Sequence, residues 1–398
     1  MKFRVLAGLV LIVVAVSALS CSSGNNNTTS SGTGFLFVTT QGNLTLTSYG
    51  IALSSGAISG ITAIATGTNP FAIAATPGMN ALFVSNSGGN FVTSYQLNTD
   101  GSLVVGSNTN TGTTPMGLAV DPSGSFLFVA NQGSSNISVF SINGTALTPV
   151  KGSPFTTIPS NSTIATGPVS VAVPPAGNYL YVANQFTNTI SAFAYDSTSG
   201  ALTALGGSPY AACLPTPSNE SPVCIAPTAV TISQNGTFLF VANQGSNNVN
   251  SFALCVVTSA TCSTPDGTMT QVVGMPVTTG EQPVAIANEP NYNFVYVADF
   301  ASNQISQYEF SPGTGVLTPL SNPSISTGTS PVSISIRSGQ TGTAVGNTTT
   351  NPTDWAYVAN IGGTSLSIYS LSTTSGQLTI SGSPYVTSGG QPSAVLAK

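Results

Sequence analysis

Histidine is absent from this chain of 398 residues. Without imidazole there is no Ser-His-Asp triad and no imidazole general base. No CxxC pair is present either, which leaves a metal site little to work with. Charge is scarce, with Asp, Glu, Lys and Arg making up 4% of the residues against the usual quarter. Of the five cations, Lys2 and Arg4 stand at the extreme N-terminus, leaving Lys151, Arg337 and Lys398. Counterion release at phosphates needs clustered Lys and Arg, so nucleic acid is excluded as a partner. After the first twenty residues no segment carries a helical period. Low charge can signal disorder, but 41% of the residues are apolar and their pattern is regular, which excludes it.

The one long apolar run, Val5 to Val16, follows Lys2 and Arg4 and precedes Ser17-Ala18-Leu19-Ser20-Cys21. A charged start, a short apolar stretch and small residues before a cut site describe a secretory signal, too short for a stable membrane span. Cys21 and the residues before it resemble a bacterial lipobox, in which the Cys is lipidated and becomes the new N-terminus. The resemblance implies a signal over 1–20, a lipid anchor in the membrane at Cys21, and an extracytoplasmic address in the bacterial cell envelope. A plain signal peptide with an incidental Cys is the alternative. Residues 21–34 then form a polar tether with an r.m.s. span of roughly 20 Å. The other four cysteines, Cys213, Cys224, Cys255 and Cys262, form an even set that favours disulfides outside the cytoplasm. Close spacing selects Cys213–Cys224 and Cys255–Cys262, each stapling an insertion.

A Val is followed eleven residues later by an aromatic residue seven times: Val38/Tyr49, Val84/Tyr95, Val129/Phe140, Val182/Phe193, Val241/Phe252, Val297/Tyr308 and Val358/Tyr369. The pairs recur every 45 to 61 residues, a fixed core with elastic connections. Seven prolines head the units, Pro70, Pro115, Pro168, Pro227, Pro283, Pro331 and Pro392, and in five units the Val follows fourteen residues later. Pro392 has no Val after it and Val38 has no Pro before it, so the two ends are halves of one unit. Within a unit, Pro115 to Val120 and Phe126 to Ala130 read as buried strands, Asn136 to Ile142 alternates as a half-exposed strand, and a fourth centres on Leu147. Four antiparallel strands in each of seven units predict an all-β, seven-bladed propeller over 35–398, closed by pairing of Pro392–Ala397 with Phe35–Thr40.

The strings Phe128-Val129-Ala130-Asn131, Tyr181-Val182-Ala183-Asn184, Phe240-Val241-Ala242-Asn243, Tyr296-Val297-Ala298-Asp299 and Tyr357-Val358-Ala359-Asn360 resemble the YVTN-type propeller repeat. With Thr189-Ile190-Ser191-Ala192-Phe193 and Thr198-Ser199-Gly200-Ala201-Leu202, they also resemble the seven-bladed lactonase family. That family includes 6-phosphogluconolactonase-like and fungal muconate-lactonising enzymes. Its lactonase members commonly carry a His after a repeat Pro. Here those places hold Phe71, Met116, Val169, Thr228, Val284, Val332 and Ser393. A phosphosugar would also need cations that this chain lacks.

By propeller topology, the loop before each first strand and the loop after each second strand share one face. That face gathers Asn131, Asn184, Asn243 and Asn360 with Gln282 and Gln391 as candidate ligand contacts. Asn86, Thr40, Gln41, Gln132, Gln185 and Gln244 lie nearby. The Asn side chains could instead bond their own turns. Glu281 and Asp299 interrupt the amides, as candidates for acid and base or for holding Ca²⁺; two solvated loop acids are the plainer reading. No other cofactor is expected. On the opposite face, Glu289 and Arg337 form an expected inter-blade ion pair of about 0–1 kcal/mol. The expectation is a non-catalytic envelope lipoprotein whose propeller binds a protein or glycan. A lactonase acting on an uncharged or weakly charged lactone is the alternative, and a structural role in an envelope array is a third.

Overall fold

The computed structural model describes residues 34–213, 224–258, 262–338, 354–382, 384–387 and 390–398. The signal segment, Cys21 and the tether through residue 33 lie outside the described residues, as does the insertion 339–353. Every regular element among the described residues is a strand, and the strands form seven antiparallel sheets. Successive first strands touch around a closed ring, from Pro70–Ala75 through to Pro392–Ala397 and back. The expected seven-bladed propeller is the fold.

The first strands have no solvent-facing side because neighbouring blades cover both of their faces. Pro115–Val120, Pro227–Ile232 and Pro283–Asn288 are buried along their whole length. Small residues crowd near the axis and stitch the ring: Ser393 Oγ donates to Pro70 O at 2.6 Å, and Thr228 Oγ to Pro283 O at 3.0 Å. The repeat Val and its aromatic partner lie on the second and third strands, all seven Val at 0% exposure. Three of the aromatic partners use a hydroxyl to grip the preceding blade: Tyr95, Tyr308 and Tyr369 donate to Ala65 O, Thr278 O and Ser326 O. On the second strands, Tyr181, Tyr296 and Tyr357 reach forward to Gly267 O, Gly376 O and Gly56 O in the next blade. The invariant spacing therefore records contacts between blades.

The fourth strand departs from its expected form in four blades, where it breaks in two. In the blade headed by Pro115 the pieces are Ala146–Pro149 and Phe155–Thr156. Pro154 lies in the break, where its missing N–H costs no ladder bond. The ring closes as expected: Pro392–Ala397 pairs antiparallel with Gly34–Thr40. Phe35 and Lys398 also exchange both backbone hydrogen bonds at 2.8 and 2.9 Å. Cys213–Cys224 and Cys255–Cys262 are both bridged, with Cα atoms 5.4 and 5.1 Å apart. Two disulfides fit an oxidising, extracytoplasmic compartment. No described helix is long and apolar enough to cross a membrane.

Candidate functional site

One rim of the propeller is built by the start of each first strand and the end of each second strand. Registers such as Pro115↔Asn131, Pro283↔Asp299 and Pro331↔Asn360 bring these ends together. The residue before each of the seven prolines has a positive φ, from 35° at Gln391 to 62° at Gly167. Its carbonyl accepts the N–H of the residue that follows the second strand, in all seven blades. The third-strand turn adds a bond to the next blade. Asn90, Asn188, Asn247 and Asn303, also at positive φ, accept N–H from Thr114, Ala226, Gln282 and Ser330 at 2.7–2.8 Å. The mouth is thus a rigid rim of strained residues held by paired bonds.

This geometry relocates the expected contacts. Asn131, Asn184, Asn243 and Asn360 are at 0% exposure and do not line an open funnel. Their amide N–H groups turn into the blade, where Asn131 donates to Ser138 Oγ, Asn184 to Ser191 Oγ and Asn360 to Ser367 Oγ, at 2.8–2.9 Å. Asn243 donates to Asn248 Oδ1 at 2.9 Å. The partners sit mainly on the third strand, not in the turn backbone. Asn86 and Asn360 receive Gly67 N–H and Thr327 Oγ at Oδ1, whereas the Oδ1 atoms of Asn131, Asn184 and Asn243 are buried without a protein donor. A glycine seals several of these side chains from above. A Cβ added at Gly112 or Gly328 would come within 2.8 or 2.7 Å of the Asn131 or Asn360 Cγ. The Gly-x-x-Pro signature at Gly67, Gly112, Gly280 and Gly328 was the sequence sign of this burial.

Asp299 follows the same rule and is also at 0% exposure. Thr279 Oγ donates to its Oδ1 at 2.7 Å and Ser306 Oγ to its Oδ2 at 2.6 Å, with Gln304 Nε2 at 3.5 Å. Gly280 lies over the carboxylate, where a Cβ would meet Oδ2 at 2.6 Å. Loss of water pushes its pKa up to about 6, against the opposing pull of these donors. Asp299 is a blade residue, the carboxylate counterpart of the buried Asn. Glu281 is exposed on the rim, with its N–H bonded to Ser302 Oγ at 2.5 Å. The expected carboxylate pair therefore does not face one open space. Among the described residues no cluster of three or more His, Cys, Asp or Glu could hold a metal ion.

The residues that follow the buried amides are half-buried, and Gln185 among them is buried. Gln282 and Gln391 stand open to solvent. Gln132 donates to Gln185 Oε1 at 2.8 Å, and Gln185 to Gln244 Oε1 at 3.4 Å, an amide chain across three blades. None of the three described cations is on this rim. Lys151 lies in the break of a fourth strand, and Arg337 and Lys398 end first strands at the opposite face.

The opposite face also differs from expectation. Glu289 is at 0% and Arg337 at 9% exposure, so they are not a surface pair. Glu289 accepts N–H from Asn291 and Tyr292 and a hydroxyl from Ser338. Burial, then the neighbouring Asp354, hold the Glu289 carboxyl well above the usual carboxylate range. Arg337 turns its Nε to Lys398 O at 3.1 Å and has Asp354 as its acidic neighbour. The ion pair is replaced by a buried acid pair beside the ring closure.

The sequence profile described as "Lactonase, 7-bladed beta-propeller" matches residues 33–154 and 165–336. No curated protein matches the chain. Among solved structures, the chain is similar to a putative 6-phosphogluconolactonase from Bacteroides uniformis, at 17% identity and a TM-score of 0.70, covering 92% of this chain and 100% of that one. It is also similar to the periplasmic gluconolactonase of Pseudomonas aeruginosa, at 20% identity and a TM-score of 0.70, covering 92% and 99%. A Lactobacillus plantarum protein superposes with a TM-score of 0.71 at 17% identity, covering 92% and 99%. At such identities these are likenesses of fold. The profile match, spanning most of the ring, carries the classification: the chain belongs to the seven-bladed β-propeller lactonase family.

Proposed function

We propose that the chain is an extracytoplasmic, lipid-anchored member of this family that opens an uncharged lactone at the propeller mouth. The observation that carries this reading is a neutral amide rim with one exposed described carboxylate, Glu281, and no described cation. A phosphorylated lactone would find no guanidinium or ammonium there to offset its charge. Glu281 takes a proton from water as the water oxygen bonds to the lactone carbonyl carbon. In this reading the side-chain N–H groups of Gln282 and Gln391 donate to the developing oxyanion. The ring C–O bond then breaks, and the proton on Glu281 passes to the departing alkoxide, leaving a hydroxy acid.

The absence of histidine supports a second reading, in which the same mouth holds a glycan or a protein loop without turnover. A panel of neutral and phosphorylated aldonolactones, assayed by proton release, separates the two. The lactonase reading expects turnover of a neutral member, weaker turnover of its phosphorylated counterpart, and a kcat/KM about 100-fold lower or worse in Glu281→Gln. Full activity in Glu281→Gln at unchanged Tm would remove Glu281 from the chemistry. No turnover across the panel would leave the binding reading in its place.

A further inference from the structure

A sevenfold repeat shows which rim residues serve the fold, because the same place recurs around the ring. Two residues after the buried Asn or Asp, the chain has Gly88, Gly133, Gly245, Gly362 and Ala301, with Gly42 in the first blade. Phe186 occupies this place in the blade headed by Pro168, and it is 57% exposed. Two residues before the prolines, Thr68, Thr113, Thr166 and Thr329 recur. The exceptions there are Ile225, 42% exposed, Glu281 and Gly390. Phe186, Ile225 and Glu281 thus depart from the repeat in three consecutive blades. Packing does not call for them, since glycine and threonine serve elsewhere, and exposing apolar surface to water is unfavourable.

The amide chain runs through the blades headed by Pro115, Pro168 and Pro227, and so shares the arc of Phe186 and Ile225. Phe186 directly follows Gln185, and its N–H is fixed to Thr166 O at 3.0 Å while its ring lies over Gly167. Ile225 precedes Ala226, whose carbonyl holds the Gln244 N–H at 2.9 Å. Ile164, 66% exposed, lies three residues before Gly167. Each amide in the chain has two N–H groups and one carbonyl. The chain therefore leaves N–H groups and the Gln132 carbonyl for a ligand. The described charged residues of this stretch, Asp121, Lys151 and Asp196, follow a first strand, lie in a fourth-strand break and follow a third strand, away from the rim ends that carry Phe186 and Ile225. The Cys213–Cys224 bridge ties Cys224, the residue before Ile225, to the end of the preceding blade.

We infer that this arc is a subsite for a neutral sugar ring, which lays its apolar face on Phe186 and Ile225 and its hydroxyls on Gln132 and Gln244, with the buried Gln185 holding those two amides in place. An aromatic shelf beside neutral amides matches a ligand that is apolar on its ring faces, hydroxylated at its edge and uncharged. The inference deepens the lactonase reading, since it names the ligand class and where it sits, and it rests on that reading for the chemistry alone.

The test is calorimetric titration of the full chain with cellobiose, maltotriose and chitobiose, against glucuronate and glucose 6-phosphate. At least one neutral sugar binds, and the charged ones bind at least ten-fold more weakly. Phe186→Ala weakens binding ten-fold or more at unchanged Tm, because small residues already occupy this place in other blades. Phe186→Tyr keeps the binding. Absence of binding by every neutral sugar, equal binding of the charged sugars, or an unchanged Kd in Phe186→Ala would each overturn the subsite. Lactone turnover with a KM indifferent to Phe186→Ala would sink the subsite and spare the hydrolase. Sugar binding that depends on Phe186, without lactone turnover, would do the reverse.

Discussion

Asp299 is a rim residue whose titration bears on stability. Five other blades place Asn where this one has Asp, at positions 86, 131, 184, 243 and 360. Its folded-state pKa of about 6 lies above the ordinary 3.8, so the folded protein binds more protons than the unfolded chain between those values. Stability contributed by this site is present below about pH 4 and is lost as pH rises toward 6. At neutral pH the cost is at most roughly 3 kcal/mol. Asp299→Asn can donate to Ser306 as Asn131, Asn184 and Asn360 donate to their own serines. The variant should therefore match the parent near pH 4 and melt several degrees higher at pH 7. Scanning calorimetry across that range checks this, and a constant offset would show that Asp299 does not titrate there. The string ending in Asp299 was legible as a repeat end. Its burial was not, because an Asp at a loop boundary reads as solvated until the Gly280 backbone is seen over it.

At the scale of elements, the rim depends on turns that the strand pattern does not advertise. Asn188 shows why. Its φ of 56° suits Asn or Gly, and its Oδ1 holds the Ala226 N–H of the next blade. Asn188→Gly keeps the backbone and loses the bond, at about 1 kcal/mol. Asn188→Ala loses the bond and adds the left-handed penalty, at about 2 kcal/mol in all. Urea denaturation should rank parent, Gly variant and Ala variant in that order; an Ala variant as stable as the Gly variant would show that the backbone there is unstrained. The strands themselves were legible from apolar runs and the Val-to-aromatic count. The broken fourth strands were not, because two short edge pieces hold too few residues for a period. The glutamine chain was also hidden, since Gln132, Gln185 and Gln244 meet only when three blades are assembled.

For the whole molecule, closure is the decisive event. Pro392–Ala397 is the inner strand of a blade whose other strands begin at Gly34. Removing residues 391–398 uncovers both Gly34–Thr40 and the neighbouring first strands, and also takes away the carbonyl that Arg337 bonds. Cooperative unfolding should disappear in this truncation. A melting transition of the parent's height and width would mean that the ring does not need its last strand. The sequence alone determined the seven units, their phase and the two cysteine pairs, because each rests on local spacing and on apolar runs that only a packed strand explains. Tertiary structure decided which polar side chains meet solvent. Burial of Asn131 or Asp299, the exposed Phe186 and the Glu289–Asp354 pairing depend on neighbouring blades and on backbone passing overhead, which no spacing within one unit encodes.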